Sequence, residues 1–130
     1  MDEIYNLLGR ILKTVQYIEW NLSLLVAKTK GNPEITDENF LFKSMQGMTL
    51  GEIVFKAQKT EIFSKETLVK LESILDERNY LVHQFFKRTD FQDEINDENE
   101  KAYAIKRLTE DLSSFKEFNE WLSNVTENWR

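Results

Sequence analysis

Apolar residues recur at three- and four-residue steps from the start of the chain to about residue 29. This spacing places them along one face of a long α-helix. The stripe comprises Ile4, Leu7, Leu8, Ile11, Leu12, Val15, Ile18, Leu22, Leu25 and Val26. Tyr17, Trp20 and Leu24 lie off the stripe and indicate a second buried face, toward another helix or a second subunit. The segment Gly31-Asn32-Pro33 predicts the end of the helix, because proline cannot continue it.

A second, shorter helix is predicted to follow a less regular segment at residues 32–48. Thr49 and Glu52 have the spacing of a capping box, in which a threonine begins a helix and a glutamate follows three residues later. We expect this helix to run to about Thr60. Its buried residues are predicted to be Leu50, Ile53, Val54 and Ala57.

Two more helices complete the pattern. The segment Ser64-Lys65-Glu66-Thr67 is a weaker start signal for a third helix, which we expect to end at about Phe86. A last long helix is predicted from about Glu98 to Trp129. Its apolar stripe comprises Ala102, Ile105, Leu108, Leu112, Phe115, Phe118, Leu122 and Val125.

Together these elements predict an all-α fold: a four-to-five-helix up-down bundle with two long helices, at the N- and C-terminal ends, and two shorter ones. Residues 1–130 are expected to form a single domain, since no internal repeat or boundary interrupts them. Phe40, Leu41 and Phe42 are expected to anchor the irregular segment to the core. Residues 89–99 are predicted to form an acidic surface loop.

Composition narrows the possible functions. The chain has no cysteine, which excludes disulfides, thiolate zinc sites and cysteine nucleophiles. No secretory signal and no stretch long enough to span a membrane is evident, so we expect a cytoplasmic protein without a membrane partner. The formal net charge of −6 argues against a non-specific nucleic-acid coat, because phosphate affinity comes mostly from Lys and Arg. Any contact with RNA therefore has to be local.

Metal and cofactor chemistry finds little support in the sequence. The acidic run between Asp90 and Glu100 lacks the central glycine of a calcium loop, so a solvated acidic loop is the favoured interpretation. The chain has one histidine, His83, and no Glu-x-x-His pair precedes it, which disfavours zinc and di-iron sites. A glycine-rich phosphate-binding loop is also missing. We expect no metal and no cofactor.

The third helix breaks the apolar pattern at Arg78. Leu71, Ile74 and Leu75 form one half of its stripe, and Leu81, Val82 and Phe85 form the other. Arg78 falls between the two halves, near the centre of the apolar face. An unpaired charge there would cost several kcal/mol. The guanidinium must therefore be paired, exposed in a cleft, or placed at a subunit interface.

Several residues around Arg78 suit phosphate chemistry. His83 has an unperturbed pKa of about 6.5, which suits proton transfer near neutral pH. Asn79 lies one turn before His83 on the same edge of the helix, and Arg78 offers a fork suited to phosphate. Lys87 and Arg88 follow about one turn after His83 and could steer an anion toward it. Such a set matches the requirements of phosphodiester cleavage.

A structural interpretation of the same residues stays open. A lone histidine at the edge of an apolar stripe is more often half-buried and structural than catalytic. An arginine within a stripe is often part of a buried salt bridge. Helical geometry alone favours these structural roles for His83 and Arg78.

The segment Glu77–Phe86, with sequence ERNYLVHQFF, resembles the signature of the HEPN superfamily of helical domains. That signature has an arginine, an adjacent polar residue and a later histidine on one helix of an all-α bundle. Arg78, Asn79 and His83 match it. The detailed resemblance covers about ten residues, while the bundle plan agrees over most of the chain and is shared by many unrelated bundles.

The resemblance implies a metal-independent endoribonuclease that acts as a homodimer, with the two motifs meeting across the interface. His83 would then assist attack by the ribose 2′-hydroxyl, Arg78 would stabilise the phosphate, and Asn79 would orient the histidine or the substrate. Lys87 and Arg88 would bind the RNA. The resemblance also implies a toxin of a toxin–antitoxin pair or an effector of phage defence, with an antitoxin or regulatory protein as a partner.

The resemblance leaves an alternative open, since some HEPN-like proteins are non-catalytic dimeric interaction or regulatory modules. Members controlled by a nucleotidyltransferase often carry a tyrosine two residues after the histidine, where this chain has Phe85.

A ribonuclease requires Arg78 and His83 open to a cleft, with Lys87 or Arg88 near its mouth. An interaction module would instead bury Arg78 against a fixed acidic residue.

Overall fold

The computed structural model describes residues 2–30, 47–85 and 98–129. These residues form four α-helices: α1 (Asp2–Lys30), α2 (Leu50–Lys59), α3 (Lys65–His83) and α4 (Glu98–Asn128). The predicted all-α bundle with long helices at both ends and two shorter ones between them is confirmed. The predicted bounds agree closely, except that α3 ends at His83, about three residues early.

The two shorter helices begin at side-chain caps. Thr49 Oγ1 accepts a hydrogen bond from the backbone N–H of Glu52 at 3.3 Å, and Ser64 Oγ accepts one from the backbone N–H of Thr67 at 3.2 Å. Each bond satisfies a backbone donor that the first turn of a helix leaves free. These local signals explain why the sequence predicts both starting points.

The long helices α1 and α4 pack against each other, and two hydrogen bonds between them show that they run in the same direction. Asn21 Nδ2 donates to Asn119 Oδ1 at 2.9 Å, and Lys28 Nζ donates to the carbonyl oxygen of Thr126 at 2.7 Å. Both pairs are separated by 98 residues. A constant separation along two helices means that they are parallel. The shorter helix α2 packs on α1 and α3.

The core is built from the predicted stripes. It is formed by Ile4, Leu7, Leu8, Ile11, Val15, Ile18, Leu22, Leu25 and Val26 of α1, Leu50, Ile53, Val54 and Ala57 of α2, Leu71, Ile74 and Leu81 of α3, and Ala104, Leu108, Leu112, Phe115, Phe118 and Leu122 of α4, together with Phe85. The four residues predicted to be buried in α2 are all confirmed.

Three positions of the predicted stripes are exposed: Leu12 of α1, Val82 of α3, which is 46% exposed, and Ala102 of α4. Leu12 is 38% exposed, and Ala102 is exposed while Ala104 is buried in its place. Leu12 and Ala102 lie at the edge of a stripe, where burial depends on the neighbouring helix. Tyr17 and Trp20 are each 51% exposed and Leu24 is half-buried, so the second face predicted for α1 is only partly covered in the described part of the chain.

Some predictions fall outside the described residues. They concern the anchoring role of Phe40, Leu41 and Phe42 and the acidic loop as far as residue 97. Among the described residues, no helix is both long enough and apolar enough to cross a membrane.

Candidate functional site on the third helix

Arg78 lies five residues before the last residue of α3 and is neither fully buried nor fully exposed. Its Cα faces the same side of α3 as the buried residues Leu71 and Ile74, as the sequence pattern predicts. Arg78 Nη1 donates a hydrogen bond to Asn79 Oδ1 at 3.0 Å. Because Asn79 is about 100° round the helix from Arg78, this bond draws the guanidinium away from the core and toward the next edge of α3.

Glu19 of α1 interacts electrostatically with Arg78. Glu19 is half-buried, and burial raises the pKa of its carboxyl above the usual range, while the positive charge of Arg78 opposes this shift. The two side chains therefore interact across the α1–α3 interface. The direct hydrogen bond of Arg78, however, goes to the amide of Asn79.

His83 occupies the last turn of α3, and its side chain is exposed. It is therefore not the half-buried structural histidine that the sequence pattern left open. Asn79 is one turn earlier on the same edge, whereas the Cα of Arg78 is about 140° away round the helix. Val82, next to His83, is 46% exposed. The structure thus brings Arg78 to Asn79, and leaves His83 and Val82 open to solvent.

Lys87 and Arg88, the predicted substrate-binding residues, lie outside the described residues. Their role at the mouth of the site stays a prediction. Two grooves flank α4, one between α3 and α4 and one between α1 and α4. Neither of them is lined by Arg78 or His83.

A polar cluster that the sequence pattern does not predict joins the opposite flank of α3 to α4. Arg107 of α4 forms a two-pronged ion pair with Glu77: Nη2 lies 2.5 Å from Oε1 and Nε lies 3.1 Å from Oε2. The guanidinium carbon of Arg107 lies 4.1 Å from the centre of the Tyr80 ring. Arginine suits this position better than lysine, because a planar guanidinium can donate two hydrogen bonds to one carboxylate and also stack on an aromatic ring.

Asp111, one turn after Arg107, brings a second carboxyl to this cluster. Burial, the hydrogen bond to Glu77 and the negative charge of Glu77 together raise the pKa of Asp111 to about 8, although the positive charge of Arg107 opposes this rise. Its Oδ2 is shielded from solvent and has no hydrogen-bonding partner among the described residues. Asp111 therefore carries a proton at neutral pH, which it can donate to Glu77.

Glu77 keeps its charge in the same surroundings. Burial alone would raise its pKa, but hydrogen bonds from Arg107 and Asp111 and the charge of Arg107 hold the pKa below the usual range. The hydrogen bond to Glu77 likewise raises the pKa of Arg107. The cluster thus has one ionised carboxylate, one protonated carboxyl and one cation at neutral pH.

This cluster lines an open groove of about 460 Å³ between α3 and α4. Its wall contains Lys70, Ser73, Ile74, Asp76, Glu77, Tyr80, Arg107, Asp111, Ser114 and Phe115. The groove lies on the side of α3 away from Asn79 and His83. Among residues 2–30, 47–85 and 98–129, no cluster of histidine and carboxylate side chains could hold a metal ion.

A comparison with models of protein families, with curated proteins and with solved structures found no match to the chain. The described residues form an all-α bundle, and one of its helices, α3, carries Arg78, Asn79 and His83. The HEPN resemblance of these residues stays a prediction.

Proposed function

We propose that the protein is a metal-independent endoribonuclease of the HEPN type that acts as a homodimer. The observation that carries this proposal is the arrangement at the end of α3. His83 is exposed, Asn79 lies on the same edge, and the Arg78 guanidinium is hydrogen-bonded to Asn79 at 3.0 Å. The hydrogen bond to Asn79 thus holds the Arg78 guanidinium, which would bind phosphate, near the edge of α3 that carries His83, which would transfer the proton.

The chemistry expected at this edge is transesterification. His83 would accept the proton of a ribose 2′-hydroxyl, whose oxygen would attack the adjacent phosphorus. Arg78 would stabilise the negative charge that develops on the phosphoryl oxygens. The bond from phosphorus to the 5′-oxygen would break, and the 5′-oxygen would take a proton from an acid. The products would be a 2′,3′-cyclic phosphate and a 5′-hydroxyl.

A second protomer would supply that acid. This reaction needs a base and an acid at the same time, and the chain has one histidine. Two protomers related by a twofold axis would bring two copies of His83 to one phosphate. The exposed side chain of Val82, beside His83, would gain burial in such an interface. The closed site would then be completed by the dimer and not by a cleft within one chain.

Cleavage of a mixed RNA in the presence of EDTA tests the proposal. We expect the wild type to produce fragments with 2′,3′-cyclic phosphate ends. His83→Ala should lower the rate by at least about a hundredfold, since a positioned general base contributes roughly 10²–10⁴. Gln84→Ala is the matched control, because Gln84 is the adjacent exposed residue and caps α3 through its backbone. It should cleave like the wild type.

Thermal unfolding and light scattering complete the experiment. All three proteins should be folded dimers of equal thermal stability, since both substituted side chains are exposed. Cleavage that survives in His83→Ala, or that EDTA abolishes in the wild type, would contradict the proposal.

The second candidate is a non-catalytic dimeric interaction module on the same fold. The electrostatic interaction of Arg78 with the half-buried Glu19 favours it, because an arginine whose charge is balanced by a carboxylate on a neighbouring helix can be purely structural. A folded dimer without cleavage in any condition would support this alternative. Under either proposal, a neutralising antitoxin or regulatory protein is a further expected partner.

A further inference from the structure

A second groove, of about 420 Å³, lies on the surface between α1 and α4, on another side of the bundle. It is lined by Arg10, Lys13, Thr14, Tyr17, Lys116, Asn119 and Glu120. Three of these seven side chains are cations and one is a carboxylate. The cations come from both helices: Arg10 and Lys13 from α1, and Lys116 from α4. Its volume falls within the range of about 300–1,000 Å³ typical of ligand sites.

This concentration of positive charge contrasts with the chain as a whole. The sequence has 23 acidic and 17 basic residues, yet the groove has an excess of cations. Arg10, Lys13 and Lys116 are all exposed, so none of the three is held in the core for structural reasons. An exposed cation excess in a concave surface attracts anions and raises their local concentration.

An aromatic side chain lies beside the cations. Tyr17 is 51% exposed, and Lys13 Nζ lies 5.9 Å from the centre of its ring. Trp20, also 51% exposed, follows Tyr17 by three residues on the same face of α1. Surfaces that bind single-stranded nucleic acid combine cations for the backbone with aromatic rings on which bases stack. An acidic peptide would need the cations but would gain little from the rings.

We propose that the Arg10–Lys13–Lys116 groove, with Tyr17 at its side, binds the backbone and a base of single-stranded RNA. The choice of RNA rests on the proposed ribonuclease function. The lysines and the arginine would contact phosphates, Asn119 would donate a hydrogen bond, and Tyr17 would stack on a base.

The position of the groove on the protomer indicates whether it contributes to RNA binding or to the cleavage step. Glu19, which faces Arg78, lies about 120–180° round α1 from Arg10, Lys13 and Tyr17. The groove is therefore on a different side of the protomer from the motif edge of α3. It would hold RNA that flanks the cleaved bond, and would contribute to substrate affinity more than to the chemical step.

Fluorescence anisotropy with a labelled, mixed-sequence single-stranded RNA of about 12 nucleotides tests the inference. The protein is the 130-residue chain with His83→Ala, so that binding is measured without cleavage, and EDTA is present. The test variant adds Lys13→Gln and Lys116→Gln. The matched control adds Lys65→Gln and Lys106→Gln, which remove the same charge from exposed positions outside the groove.

The salt dependence should separate a specific groove from general charge. For single strands each phosphate contact contributes about 0.7 to the log–log slope of affinity against salt. The slope of the Lys13/Lys116 variant should therefore be shallower by about 1.4 than that of the parent, and its affinity at about 50 mM salt should fall at least tenfold. Tyr17→Leu should weaken binding about tenfold without changing the slope, because stacking releases no counterions.

Each outcome bears on the inference. Equal losses in the Lys13/Lys116 variant and the Lys65/Lys106 control, or a Tyr17→Leu variant that binds normally, would overturn it. Groove-dependent binding by a protein that never cleaves RNA would support the inference and refute the proposed function. Conversely, with the native His83, RNA cleavage at an unchanged KM by the Lys13/Lys116 variant would refute the inference and leave the function standing.

Discussion

Replacing Asp111 by asparagine should make the protein more stable at neutral pH. The pKa of Asp111 in the folded protein is about 8, because burial and Glu77 disfavour its charged form. In the unfolded chain the pKa is about 3.9. The folded state thus holds a proton that the unfolded state loses above pH 4, so stability falls as the pH rises from about 4 to about 8. An amide keeps the shape and the donor of the protonated carboxyl without this dependence.

The size of the effect follows from the shift in pKa. Each pH unit above the unfolded pKa costs about 1.4 kcal/mol, which gives about 4 kcal/mol at pH 7 for a fully buried group. Asp111 is partly open to solvent, and solvent screening reduces this to about 2 kcal/mol. Asp111→Asn should therefore raise the free energy of unfolding by about 2 kcal/mol at pH 7 and by little near pH 4. The midpoint of thermal unfolding at pH 7 should rise by roughly 5–10 °C.

Urea unfolding followed by circular dichroism at several pH values between 4 and 9 measures this difference. Asp76→Asn is the control, since Asp76 is an exposed carboxylate on the wall of the same groove. It should change stability by less than about 0.5 kcal/mol at every pH. A gain for Asp111→Asn that is the same at all pH values, or a loss at pH 7, would refute the assignment of a proton to Asp111.

Two further predictions concern the fold. Leu108→Ala should lower the free energy of unfolding by about 2–5 kcal/mol in the same urea assay, because Leu108 is fully buried between the helices; a loss below 1 kcal/mol would contradict its place in the core. Glu61→Gly should raise it by about 1 kcal/mol, because Glu61 has a φ of 58° just after α2, in the left-handed region that favours glycine. A destabilised Glu61→Gly protein would show that the glutamate side chain stabilises the turn more than its backbone strain costs.

Local signals made most of the fold predictable. Helix periodicity and the caps at Thr49 and Ser64 depend on residues within a few positions of each other, so the sequence reveals them directly. The exposure of Leu12 and Ala102 was not predictable in this way. Whether the edge of an apolar stripe is buried depends on where the partner helix lies, and that is decided by residues far away in the chain.

Part of the candidate site was also predictable from local spacing, and part of it was not. Arg78 in the stripe of α3 and the shared edge of Asn79 and His83 follow from helical spacing alone. The cluster on the other flank does not, since Arg107 and Asp111 have the spacing of an ordinary exposed i, i+4 pair. Nothing in that spacing shows that Glu77, thirty residues before Arg107, would pack against them.

The two flanks of α3 allow stability and chemistry to be tested separately. Glu77 faces the cluster with Arg107 and Asp111, whereas His83 is about 120° away round the helix and exposed. A change at Asp111 therefore alters how firmly α3 is held against α4, while a change at His83 removes a reactive group without disturbing the packing. If Asp111→Asn stabilises the protein and leaves cleavage intact, the loss of cleavage in His83→Ala can be attributed to the reaction itself and not to the position of α3.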